Sequence, residues 1–295
     1  ENIYVHFFSV DFRMQNLNIK LDVRDYYTLT TYYRLFLPEC FPLINKAVYL
    51  DCDIVLMDDV AKLYSINLGD NYLGAVPDTS VQIIPEFSNY VQKVVDVNYE
   101  QYFNAGVLVM NFKKLREAKF QKQSFDLLSR VTFKVAQDQD VLNYLAKNHV
   151  KLLPVEWNTM PLGDVIENPK LIHFNLMYKP WNLENIRYDD KFFYYAEKAG
   201  VKDSILETRS KIPEFVKEKL LEGVEGVKEF CVLEMKNADI YYAQIHNTQK
   251  VKRERITFET IQMQLPSINN ERQEILDKIV ELERQGQFDK DVEND

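Results

Sequence analysis

Glycine is scarce in this chain, eight residues in 295, and neither a Walker-type loop nor a GxGxxG turn occurs. Such glycines let backbone N–H groups cradle phosphate, so their absence argues against folds built on Gly-rich phosphate loops. Any phosphate must then be held by a metal ion or by single basic side chains. Cysteine is equally sparse. Cys40, Cys52 and Cys231 are scattered and odd in number, which is no disulfide framework and fits a reducing compartment. An apolar run long enough to cross a membrane is missing as well. So is a surplus of positive charge: the formal net charge is −9. That balance repels nucleic-acid backbones and disfavours attachment of the bulk surface to anionic membranes. The expected setting is the cytoplasm, with peripheral contact at the inner face of the cell membrane as an option. The chain opens at Glu1 rather than Met, which leaves an upstream signal open.

What is abundant is core-forming material. Hydrophobic residues make up 46%, with 18 Tyr and 18 Phe, enough for one large catalytic domain and an appendage. Apolar runs at Ile3–Phe8, Lys46–Leu50, Tyr72–Val76, Ala105–Phe112, Val150–Leu153 and Lys170–Phe174 predict buried strands. Between them, Thr28–Leu37 reads as a helix stopped by Pro38, Val60–Tyr64 as a short helix, and residues near 120–131 and 138–147 as longer ones. Alternating strands and helices predict an α/β layer fold with a mostly parallel sheet, whose sites gather at the carboxyl ends of strands. Beyond residue 200 the chain becomes charged and helical, so we divide it into a catalytic domain over 1–199, a helical extension over 200–286 and an acidic disordered tail over 287–295. Within the extension, Asn270–Gln285 carries Ile275, Leu276, Ile279 and Leu282 on one face, an amphipathic helix suited to a second copy or a partner enzyme.

Chemistry concentrates in a few places. Asp51-Cys52-Asp53 follows the strand AVYL directly. Two carboxylates at i and i+2 can converge on one hard cation if the chain bends there. Alone, this pattern is more often a solvated turn or a helix cap. Two further features outweigh that reading. In LIHFNLMYKPWN (171–182), His173 ends a strand-like run and Lys179 follows six residues on. An imidazole can complete a carboxylate site and suits Mn²⁺ better than Mg²⁺, and a lysine offers a point charge to phosphate. In YFNAGVLVMNF (102–112), Asn104 stands at the mouth of a buried strand, and Asp138, Gln139 and Asp140 open a helix. Capping explains one of those three; three together suggest recognition of hexose hydroxyls.

The ordered series TTYYRLFLP, AVYLDCDIVL, LGAVPD, YFNAGVLVMNF, DQDVLN and HFNLMYKPWN resembles glycosyltransferase family 8, retaining transferases of the GT-A fold that include bacterial lipo-oligosaccharide galactosyltransferases and glycogenin. The resemblance runs from about Asn2 to about Ala199. It implies transfer of galactose or glucose from a UDP-sugar to a glycan or glycolipid acceptor, as in lipopolysaccharide and cell-envelope synthesis. It implies Mn²⁺, with Mg²⁺ as an alternative, on Asp51, Asp53 and His173. Cys52 falls in the same cofactor-binding stretch, Lys179 matches the phosphate lysine and Arg34 a donor-sugar contact. Asp78, Asn104, Ala105, Asp138 and Gln139 match positions that line the hexose. The counterpart of Gln139 lies near the anomeric carbon opposite the leaving group; Gln139 is a neutral amide and a poor nucleophile, and Asp138 is the better carboxylate. Two departures stand out. Leu176 stands near the position where the family usually has a glycine between histidine and lysine. The chain also opens at what resembles the family's second strand, so the first strand-helix unit is expected to be missing. A truncated or degenerate domain acting as a binding module, or a sugar nucleotidyltransferase, are the competing readings.

Overall fold

The computed structural model describes residues 4–8 and 29–247. After a 3-10 helix at Leu29–Phe36 come α1 (Leu37–Cys40), β1 (Ala47–Leu50), β2 (Ile54–Leu56), α2 (Val60–Ser65), β3 (Leu73–Pro77), α3 (Thr79–Ile83) and α4 (Pro85–Tyr90). A π-helical turn at Val91–Val95 leads on to β4 (Phe103–Met110), α5 (Phe112–Glu117), α6 (Phe120–Leu128), α7 (Asp138–Ala146), β5 (Val150–Leu152) and β6 (Leu171–His173). Five helices follow: α8 (Asp189–Lys198), α9 (Lys202–Ser210), α10 (Glu214–Leu221), α11 (Gly223–Met235) and α12 (Ala238–Ile245).

The fold is α/β, with a central sheet flanked by helices. Four strands form it in the order β1-β4-β3-β5, and β2 pairs with β6 in a small second sheet. The expected parallel character is not what the described strands show. β4 runs antiparallel to both β1 and β3, β2 is antiparallel to β6, and only β3 and β5 are parallel. The reason is the length of the crossovers. Strands separated by a dozen or more residues can return in either direction, and helical content between them does not fix which. β4 is buried along its whole length. Leu108 and Met110 enter one core cluster while Val107 and Val109 enter a second, so the apolar run is continuous rather than alternating.

Other expectations shift locally. Residues 4–8 form no strand and are exposed, although Phe8 meets the Phe41 ring edge-on at 5.2 Å. A β-prone run becomes a strand only where a neighbour takes up its hydrogen bonds, and among the described residues this segment has none. Pro38 does not stop the helix. It sits in the first turn of α1, where its missing N–H costs nothing. Asn111 caps α5 by accepting from the Lys114 N–H, so Phe112 starts a helix instead of ending β4. Cys231, Tyr241 and Ile245 of α11 and α12 join the cluster that holds Tyr90, Val94 and Leu108, and Arg130 donates to the carbonyls of Gln244 and Ile245 at the end of α12. Among the described residues, no helix is long and apolar enough to cross a membrane. The expected helix at 270–285 and tail at 287–295 lie outside the described residues.

Candidate functional site

The site is built around the start of β4 and the end of β1. Asp51 N–H donates to the Gly106 carbonyl at 2.8 Å, which prolongs the β1–β4 ladder by one bond before the chain bends through Cys52. The bend ends at Ile54, which pairs with His173 across β2 and β6. The same register that pairs those strands therefore carries the imidazole to the two acids. His173 Nε2 stands 3.2 Å from Asp53 Oδ1 and 4.0 Å from Asp51 Oδ2. One ligand atom from each of the three residues lies within 4.8 Å of the others. Cys52, between the acids, is free and exposed.

Three observations test whether a cation fits. Asp53 Oδ1 is buried and accepts no hydrogen bond, so its lone pairs await a positive partner. Gly106 opens the space: a Cβ there would collide with the His173 ring and stand 2.8 Å from Asp51 Oδ2. The donor set of two carboxylates and one imidazole suits a divalent ion of Mn²⁺ character. The residues fit such an ion. In this arrangement Lys179 Nζ bonds to Asp53 Oδ2 and to the Phe174 carbonyl, acting as an internal counter-charge. Burial opposes the Asp53 charge, but a charged His173 ring together with Lys179 outweighs it and holds the carboxyl well below the usual range.

Next to the acids lies a second polar cluster. Arg34 is buried, with Nε 3.0 Å from Asp138 Oδ2 and Nη2 3.3 Å from Asp51 Oδ1. It donates to the Ala105 carbonyl at 2.6 Å and packs over the Tyr49 ring, whose hydroxyl donates to Asp51 at 2.6 Å. Burial works against the guanidinium charge, and Asp138 and Asp51 more than restore it. Asp78 divides its oxygens. Oδ1 caps α3 through the Ser80 N–H at 2.8 Å, and Oδ2 accepts from Asn104 at 3.1 Å and Gln139 at 3.0 Å. Gln139 Oε1 accepts the Ala105 N–H at 2.9 Å.

Every residue singled out in the sequence for cofactor binding thus falls in one neighbourhood except in one respect. Asp140, read with Asp138 and Gln139 as a partner for sugar hydroxyls, points away from them. It is fully enclosed and accepts from Tyr102 at 2.6 Å, Tyr90 at 2.9 Å and the Ala136 N–H at 3.1 Å. Helical geometry explains this, since residues two apart lie on opposite sides. The helix cap is also not an aspartate: Gln137 takes that place with φ 47° and no side-chain capping bond. Sequence reasoning missed Tyr49, Tyr102, Gly106 and Asn158. Asn158 is fully buried, with Oδ1 3.0 Å from His173 Nδ1. Its only signal was a position just after a buried tryptophan.

The model of the family described as Glycosyl transferase family 8 matches residues 3–185. The chain belongs to glycosyltransferase family 8. It is 31% identical over 204 residues to the lipopolysaccharide 1,2-glucosyltransferase of Escherichia coli (strain K12), covering 63% of this chain and 59% of that enzyme. It is 25% identical over 214 residues to general stress protein A of Bacillus subtilis (strain 168), covering 65% of this chain and 72% of that protein. Among solved structures, the apo form of the bifunctional glycosyltransferase WbbM superposes with a TM-score of 0.54 at 27% identity, over 64% of this chain and 39% of WbbM. The family-8 chain therefore spans less than two thirds of the length of the E. coli enzyme and of WbbM.

Proposed function

We propose that this family-8 chain transfers a hexose, galactose or glucose, from a UDP-sugar to a glycan or glycolipid acceptor with retention of configuration and with Mn²⁺ bound by Asp51, Asp53 and His173. The carrying observation is the meeting of that acid–acid–imidazole set with Lys179 on one side and with the Asp78–Asn104–Gln139 cluster on the other. One set suits a diphosphate and the next a hydroxylated ring. The E. coli relative named as a lipopolysaccharide 1,2-glucosyltransferase supports a glycan or glycolipid acceptor.

When bound, a divalent ion supplies Lewis-acid stabilisation of the charge that develops on the departing diphosphate. The remaining work belongs to side chains. Lys179, released from Asp53, offers a second positive charge to the leaving oxygen, placed before reaction and costing no reorganisation later. Arg34 orients Asp51 and Asp138 through its two ion pairs. Asp78 fixes the amides of Asn104 and Gln139, so that they face the sugar with set geometry. The pairing of Asp138 with Arg34 and its burial favour a holding role over attack on the anomeric carbon. We therefore favour same-face attack, in which the departing phosphate takes the proton of the acceptor hydroxyl. Mass spectrometry of the enzyme incubated with donor alone decides this point, since a hexosyl adduct on Asp138 would sink the same-face route.

The reading as a whole is tested by a UDP-release assay across UDP-hexoses with Mn²⁺. Release is expected for at least one donor. Asp53→Ala should lower it by more than about 100-fold, the upper end of what even an outer partner of a metal ligand is worth. Full activity in that variant removes the metal assignment. Release of pyrophosphate instead of UDP would mark a nucleotidyltransferase, and no uptake of UDP or Mn²⁺ a binding module of another kind.

A further inference from the structure

The buried amides between the two halves of the site have only one consistent orientation. The Gly106 main-chain N–H lies 2.9 Å from Asn104 and can only donate, so the atom it faces is Asn104 Oδ1. The Asn104 amino group accordingly faces the Asp78 carboxylate and Gln139 Oε1. Asn158 approaches that same Asn104 oxygen at 3.0 Å, so it presents its amino group there. Its own oxygen is left facing His173 Nδ1 at 3.0 Å. An oxygen without a hydrogen requires a donor, so Nδ1 carries the proton. Nε2 is then the nitrogen turned to Asp51 and Asp53.

The backbone holds Asn158 in this place. It ends a 3-10 turn at Val155–Asn158 whose Trp157 is buried in the second core cluster. The next residue is stitched to β6 from both sides: Thr159 N–H donates to the Leu171 carbonyl at 2.9 Å, and His173 N–H donates to the Thr159 carbonyl at 2.8 Å. Asn158 and His173 thus sit on one framework. A metal-ligating histidine is commonly oriented by a partner on its other ring nitrogen.

We propose that Asn158 is a positioning residue with two faces, its oxygen aiming His173 Nε2 at the cation site and its amino group holding Asn104 in the hexose-facing cluster. It ties the two subsites together, and it rests on the transferase reading above. Substitutions separate the faces. Asn158→Asp keeps an acceptor for Nδ1–H but cannot donate to Asn104. Asn158→Ala removes both.

The experiment uses the full chain. Mn²⁺ is titrated and followed by electron paramagnetic resonance of the free ion, and UDP-sugar hydrolysis gives kcat and KM. Asn158→Ala is expected to weaken Mn²⁺ binding by about 10- to 100-fold. Asn158→Asp is expected to keep Mn²⁺ affinity within about threefold, yet to lose at least about tenfold in kcat/KM, as for other misplaced positioning groups. Nitrogen-15 spectra of the histidine rings should show a protonated Nδ1 on His173 in the wild type and in the Asp variant. Unchanged Mn²⁺ affinity in Asn158→Ala, or equal loss in both variants, overturns the proposal. If the Ala variant does not fold, the Asp variant decides: retained Mn²⁺ affinity with reduced kcat/KM supports the relay, and any other pattern overturns it. A wild-type chain that takes up no Mn²⁺ overturns the transferase reading, and the relay with it.

Discussion

At the scale of single residues, the least conspicuous side chain at the site has the tightest constraint. Gly106 has no side chain, and that is its contribution. Its position on β4 lies beneath the His173 ring and Asp51, so the imidazole and the acid approach the sheet only because no Cβ intervenes. Gly106→Ala is expected to push His173 off its place. It should lower stability by about 1–3 kcal/mol, as overpacking does, and weaken Mn²⁺ uptake by more than about tenfold. Circular dichroism checks that the variant folds, and titration reads the affinity; unaltered Mn²⁺ binding would show that the ring has room the geometry denies. Residues of this kind explain why the site was only partly legible beforehand. Asp51, Asp53, His173, Lys179 and Gln139 carry chemistry in themselves, so their motifs, taken together and in order, mark them. Gly106 and Asn158 carry none. Their importance comes from what the β1–β4 and turn–β6 pairings place against them, and no local pattern encodes those pairings.

At the scale of elements, local signals located most strands and helices, and long-range ones were silent. Val60–Ser65, Leu73–Pro77 and Asp138–Ala146 lie close to where periodicity put them, because apolar spacing and flanking polar residues act within a turn or two. Strand direction was invisible for the opposite reason, since it depends on partners far away in sequence. One local departure turned out to be instructive. Leu176, near where the resemblance leads one to expect a glycine, has φ 51°. The loop between His173 and Lys179 thus takes a left-handed conformation with a leucine in it, at a cost of roughly 1–2 kcal/mol. That cost predicts an inverted order of substitutions. Leu176→Gly removes the steric penalty and Leu176→Ala retains it, so the Gly variant should be the more stable of the two by about 1 kcal/mol. Urea unfolding of both variants measures the difference. An Ala variant equal to or above the Gly variant would mean that the loop relaxes out of the left-handed region.

At the scale of the whole molecule, the charge buried behind the site is larger than a small core tolerates cheaply. Asp138 and Asp140 are both buried at the start of α7, and enclosure pushes their pKa values up to about 6 and about 7, against 3.8 for the free side chain. Arg34 tempers the first shift, and the Tyr102 and Tyr90 hydroxyls temper the second. Each carboxyl therefore binds its proton more tightly in the folded chain than in the unfolded one. Between pH 3.8 and about 7 the folded state holds more protons, so stability falls as pH rises through that window and levels off above it. The net charge of −9 adds self-repulsion in the same direction. Asp140 gives the cleaner test, because Tyr90 of α4 and Tyr102 tie it to the core that also receives Cys231 and Tyr241 from the last helices. Asp140→Asn cannot ionise. Its unfolding free energy, measured in urea from about pH 5 to about pH 8, should fall less steeply than that of the wild type, by up to about 1 kcal/mol per pH unit. The variant should also be less stable at the acid end, where the native carboxyl is neutral and its hydrogen bonds are intact. Identical slopes would mean that water or a cation reaches Asp140 and lets it ionise at its ordinary pKa.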